Sequence, residues 1–147
     1  MKVNNLKSKR VKAGFIDIGI AFLLLLINSI GGLLATIYLL TKEAFFYNIF
    51  GSQSMKDKSI GKKIMGLKID TKNNNYVSYE TSLKRNLLIS IGFMPIINTY
   101  GFKKTLYITV IALIIELILF LFNDGKRLGD IWANTQVIND LENSSNK

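Results

Sequence analysis

Two stretches constrain this chain more than any other feature. Ala13 to Ile30 (AGFIDIGIAFLLLLINSI) and Thr105 to Phe122 (TLYITVIALIIELILFLF) each run 18 residues with a single charge, Asp17 and Glu116 respectively. Crossing roughly 30 Å of hydrocarbon takes about 20 mostly apolar residues in a helix. Both runs are apolar all round rather than along one stripe. A chain of 147 residues has too little polar surface to bury two such helices in water. The expected fold class is therefore an all-α integral membrane protein. Composition agrees once it is read locally. The chain is 49% hydrophobic yet carries a formal charge of +9, and the two properties occupy different stretches. That much apolar surface also rules out general disorder.

Two further apolar blocks bring the expected helices to about four, over residues 13–30, 32–50, 79–98 and 105–122. Gly31-Gly32, after Asn28-Ser29, is a tight-turn signal between antiparallel helices. The second block carries Lys42 and Glu43 over halfway along, placed toward the far interface or facing other helices. Phe45, Phe46, Tyr47 and Phe50 read as an interfacial aromatic cluster. Ser78 is a natural N-cap for the third block, which is apolar only from Leu87 to Asn98 and is interrupted by Pro95. A full crossing and a re-entrant or interfacial helix both fit it.

Basic residues set the orientation. Lys2, Lys7, Lys9, Arg10 and Lys12 precede the first block, and eight Lys or Arg lie between Gly51 and Asn86. The positive-inside rule places residues 1–12, loop 51–78 and tail 139–147 in the cytoplasm of a bacterial plasma membrane. The first run is too long and lacks a clear cleavage site, so it reads as a retained helix rather than a signal peptide. Within the loop, Ile64–Asp70 and Tyr76–Tyr79 have strand character around the turn Asn73-Asn74-Asn75, which predicts a small cytoplasmic β-hairpin. Thr135–Ile138 is available as a third strand. No internal repeat is legible.

The absent residue types exclude chemistry. With no Cys there is no thiolate metal site or cysteine nucleophile, and with no His there is no imidazole base. No metal set, no cofactor site and no enzyme activity is expected. Gly61-Lys62 lacks the rest of a phosphate-binding loop. The loop lysines suit anionic lipid headgroups at about 1 kcal/mol each, rather than nucleic acid. Trp132 reads as an interface anchor.

Three local patterns carry a resemblance. The first is Arg10-Val-Lys-Ala-Gly-Phe-Ile-Asp17. The second is Ser59-Ile-Gly61-Lys62-Lys-Ile-Met-Gly66-Leu-Lys-Ile69, followed by Arg85-Asn86-Leu-Leu88. The third is Arg127-Leu-Gly-Asp130-Ile-Trp-Ala-Asn-Thr135-Gln-Val-Ile138. In this order, and in these positions relative to the apolar blocks, they resemble the RDD family of small bacterial membrane proteins, named for one Arg and two Asp. Asn134 stands where the family often has Gly, which affects only a turn. The resemblance implies a polytopic helical membrane protein. It also implies either cation/proton exchange or partnership with another membrane protein.

The candidate site that follows is Arg10, Asp17 and Asp130, with Glu116, Arg127 and Arg85 as secondary candidates and Ser59, Gly61, Lys62 and Gly66 as a loop motif. Arg10 and Asp17 are seven residues apart, about 20° short of two helical turns and about 10.5 Å along the axis. They share a face, with room for Asp130 between them. One Arg with two carboxylates leaves a negative charge that H⁺, Na⁺, Li⁺ or K⁺ could neutralise. The same cluster could instead only fix how the first and last helices meet. Glu116 falls near the bilayer middle on a simple count. It is either a functional intramembrane acid or a protonated Glu bonded to Asn28, Thr36 or a second copy. A transport pathway through four short helices would call for a homo-oligomer; a scaffold would call for another membrane protein.

Overall fold

A computed structural model describes residues 2–27, 30–71, 76–90, 102–123 and 125–140, without the side chains of 2–4, 102–106, 108–110, 112 and 113. Helix α1 (Lys2–Leu25) is followed by α2 (Gly31–Thr41), α3 (Phe45–Phe50), a 3₁₀ turn at Gln53–Met55, α4 (Ile60–Ile64) and strand β1 (Leu67–Thr71). Then come α5 (Tyr79–Ser90), α6 (Phe102–Phe122), α7 (Leu128–Trp132) and strand β2 (Thr135–Asn139).

The basic N-terminal segment is not separate from the first helix: α1 starts at Lys2, so about three extra turns precede Ala13. The second block is two helices rather than one. It breaks at Lys42–Ala44 because Lys42 and Glu43 turn inward, where they are 3% and 1% exposed. Phe45 packs edge-on against Phe46 and Phe50, as the aromatic run suggested. Ser78 does cap α5, accepting from the backbone N–H of Thr81 at 3.2 Å. Pro95, Asn73–Asn75 and Asn28-Ser29 lie outside the described residues.

The expected strand pair exists with a different partner. β1 pairs antiparallel with β2, from Leu67↔Asn139 through Ile69↔Val137 to Thr71↔Thr135. Residues 76–79 are not a strand. The N–H of Val77 donates to Asp57 Oδ1 at 2.5 Å instead of to a ladder, and Ser78 already belongs to a helix cap.

That ladder exposes a repeat that the sequence hides. α4 and α7 are both five residues long. Each ends on a residue with φ −85° and ψ 2°, Met65 and Ala133. Each is followed by a left-handed residue, Gly66 (φ 65°) or Asn134 (φ 50°), and then by a five-residue strand with the same burial alternation. The register is symmetric about the Ile69–Val137 pair, as a local two-fold axis requires. The short helices also sit alike. A Cβ on Gly61 would lie 2.1 Å from the carbonyl oxygen of Ala13 on α1, and one on Gly129 2.0 Å from that of Arg85 on α5. Each half thus has a first helix (α1 or α5), a second helix, a short helix flush on the first, and a strand.

Burial is inverted relative to a water-soluble domain. Among the described residues, ten hydrophobic side chains are buried, against thirteen polar or charged ones. The apolar cores are small: Ala13, Ala44, Leu67, Ile69, Val77 and Val137 around the sheet, and Ala21, Ala35 and Leu39 between α1 and α2. Large apolar side chains face outward, including Phe15 (71% exposed) and Phe122 (86%). Among the described residues, no helix is long and apolar enough to cross a membrane.

Candidate functional site: a buried ion-pair network beside a cationic cavity

The interior is organised around three carboxylates. Asp17 comes from α1. Its Oδ1 accepts from the backbone N–H of Gly61 at 2.8 Å and from the Tyr38 hydroxyl at 3.3 Å. Its Oδ2 accepts from Ser59 Oγ at 2.7 Å and lies 3.2 Å from Lys42 Nζ. Gly61 makes this possible: with no Cβ, α4 approaches α1 until its amide reaches the carboxylate. Ser59 serves twice, since its Oγ also accepts from Lys62 N as the α4 N-cap.

Glu43, at the α2–α3 break, receives Lys62 Nζ on Oε1 at 2.5 Å. Its Oε2 accepts from Arg85 Nε at 2.8 Å and Asn86 Nδ2 at 3.2 Å. Asp130, on α7, pairs with Arg10 through Oδ2 and with Arg85 Nη2 through Oδ1 at 2.9 Å. Its Oδ2 also accepts from the backbone N–H of Arg127 at 3.2 Å, capping α7. Arg127 Nη2 stands farther off, at 3.9 Å. Arg85 therefore bridges two carboxylates, and its Nη1 donates to Thr135 Oγ1 on β2.

The network stitches α1, the α2–α3 break, α4, α5, α7 and β2 together. Arg10 does meet Asp130, as the shared face suggested, and its guanidinium lies 5.5 Å from the centre of the Phe120 ring. Asp17 does not join that pair; Lys42, Ser59, Gly61 and Tyr38 hold it. Lys42 and Glu43, noted only as charges within an apolar block, prove central. Their signal was two adjacent opposite charges where an uninterrupted span should have none. Gly66 serves the left-handed turn into β1.

Charge bookkeeping changes the sign expected of the site. Arg10, Lys42, Lys62, Arg85 and Arg127 face Asp17, Glu43 and Asp130. Five cations meet three carboxylates, so the cluster has a positive surplus instead of the negative one that a lone Arg with two Asp implies. The outlying groups feel it. Burial alone would raise the Asp130 carboxyl, but Arg85, Arg127 and Arg10 hold it below the ordinary carboxylate range. Burial pushes the Lys62 ammonium down to about 8, against the pull of Glu43. Burial also lowers the Arg10 guanidinium, partly offset by Asp130.

Glu116 is not at the middle of its helix. It lies six residues before the end of α6, on the side of Arg127 and the start of α7. It is 6% exposed, and its carboxylate faces the backbone N–H groups of Leu128 and Gly129 at the start of α7 without a well-aligned hydrogen bond to either. It lines a cavity of about 230 Å³ together with Arg10, Asp17, Lys42, Lys62 and Arg127. Among the described residues, no group of three acids or imidazoles could hold a metal ion.

The model of the RDD family matches residues 7–134, from before Arg10 to past Asp130. The chain belongs to the RDD family. The match takes in the first two local patterns, the third as far as Asn134, and both short helices of the internal repeat; strand β2 lies past its end. Neither the curated proteins nor the solved structures compared with the chain gave a match.

Proposed function

We propose that this RDD-family chain is a multi-pass membrane protein that serves as a scaffold or regulator of another membrane protein. In this reading Arg10, Asp17 and Asp130 lock its helices at the cytoplasmic side. The observation that carries the reading is saturation. Each of the three side chains is already ion-paired to another element inside the chain, and the cluster has a surplus of cations. A Na⁺ or Li⁺ arriving at Asp17 would have to displace the Lys42 ammonium and sit among like charges.

Several features support the membrane placement. The family is one of membrane proteins. Charged groups are gathered inside while large apolar groups face out, the arrangement expected where the surroundings are hydrocarbon. The sequence from Thr105 to Phe122 has Glu116 as sole charge, a composition suited to hydrocarbon. The two-fold repeat supports an even number of crossings. In this reading residues 1–12, the loop and β2 lie on one side, since α4, α7 and β2 contribute to the same charge network as Arg10.

The test is co-purification in mild detergent. A stoichiometric membrane-protein partner is expected, and a pure homo-oligomer would count against the scaffold. The second reading, monovalent cation/proton exchange, is favoured by one observation: the acids Asp17 and Glu116 line the same cavity. Cation-driven proton movement in everted vesicles separates the two.

A further inference from the structure

The cavity between α1 and α6 is where the internal symmetry breaks. On one side of the axis α2 closes onto α5, with Ser82 Oγ donating to the Leu40 carbonyl at 2.9 Å. On the other, α6 meets α1 across open space of about 230 Å³. That is just below the roughly 300–1,000 Å³ of pockets for drug-sized ligands, and suits a headgroup rather than a whole lipid.

We propose that this cavity is a binding site for an anionic amphiphile, whose acidic headgroup sits among Arg10, Lys42 and Arg127 and whose acyl chain leaves past Phe15 and Leu117. Four cations and two acids line the space. Arg127 is the least committed cation, 19% exposed and 3.9 Å from Asp130. With Glu116 ionised, the network and Glu116 together still hold one positive charge more than they balance, the complement of a monoanion. A cationic ligand would meet that excess at close range. Glu116, buried on the cavity wall and held only loosely by the backbone N–H groups that start α7, adds a polar group inside.

Two observations assign the chain end. Phe15 and Leu117 line the cavity and are also 71% and 56% exposed on the outer surface, so an apolar path continues outward from the charges. Gly14, also on the wall, is an interior helix residue whose absent Cβ would meet nothing within 4 Å. Glycine there is a poorer helix former than Ala, with no close packing to require it. It keeps the cavity open.

The inference rests on the membrane-embedded reading, and the two fail separately. If alkaline washing releases the chain from membranes, the embedded reading fails. If the chain stays with the membrane, the site is judged by lipid binding to the full chain in detergent. Native mass spectrometry would compare phosphatidylglycerol, phosphatidylcholine and free glycerol 3-phosphate. One phosphatidylglycerol per chain is expected, held in preference to phosphatidylcholine. Arg127→Gln should weaken it at least about tenfold, as for loss of one charge-assisted hydrogen bond. Gly14→Leu, which fills the cavity without touching a charge, should abolish it at unchanged melting temperature. Equal retention of both lipids, or full retention by both variants, would overturn the site. Glycerol 3-phosphate binding as tightly as the lipid would overturn the amphiphile in favour of a soluble anion.

Discussion

At the scale of single residues, the account turns on Asp130, Asp17 and Lys62. Asp130 is fully buried and faces three guanidinium groups. Removing its charge would leave those groups unbalanced, and breaking a buried pair in this way costs roughly 3–5 kcal/mol. Asp130→Asn is accordingly expected to lower the melting temperature in detergent sharply, whether or not any ion is present. Its acid limb follows from linkage. The folded carboxyl lies below its unfolded value, so its stabilisation is complete above about pH 4 and is lost as pH falls through the folded value. Lys62 works in the opposite sense. Its folded value of about 8 lies below the ordinary 10.5, so the folded protein sheds this proton first. The contribution of this group to stability therefore rises between about pH 8 and 10.5. Lys62→Met should flatten that rise in a pH series of unfolding measurements, while Glu43 keeps Arg85 and Asn86.

At the scale of elements, two glycines decide the geometry. Gly61 and Gly129 let α4 and α7 lie against the backbones of α1 and α5, where a Cβ would come within 2.1 Å and 2.0 Å of a carbonyl oxygen. Gly61→Ala and Gly129→Ala must push the short helices away, at about 1–3 kcal/mol each for overpacking. Gly61→Ala should also lengthen the contact from its amide to Asp17. Both losses can be read as shifts of melting temperature, and a neutral result at either position would contradict the close approach. These elements also mark how far the sequence could be read. The apolar runs, the Ser78 cap and the motif positions were legible because each is local. The strand pairing was not, because the tie between β1 and β2 is made 68 residues apart, by register and not by composition. The break at Lys42–Ala44 was missed because helical periodicity cannot reveal a partner for Glu43 on α5. The repeat was hidden because Lys62 and Asp130 occupy equivalent positions with opposite charge, leaving glycine, the left-handed turn and the strand as the shared signal.

At the scale of the whole molecule, the two halves meet through charge more than through apolar contact. Arg85 joins Glu43 of the first half to Asp130 of the second, and Arg10 reaches the same Asp130 from α1. A short lysine side chain at position 85 would have one ammonium for two carboxylates and lose the planar fork that spans them. Arg85→Lys is thus expected to loosen the halves, seen as a lower melting temperature in detergent at unchanged helix content. In the proposed scaffold reading the charges that name the family act as cross-braces, and the cationic cavity and the loop are where another molecule would engage. The most direct test is cation-driven proton movement in everted vesicles from an antiporter-deficient host, with wild type, Asp17→Asn and Asp130→Asn inserted to equal levels. The account predicts no Na⁺-, Li⁺- or K⁺-dependent dequenching from wild type, and reduced thermal stability in both variants. Dequenching by wild type that both variants lose, at unchanged stability, would contradict it and make the acids an ion site.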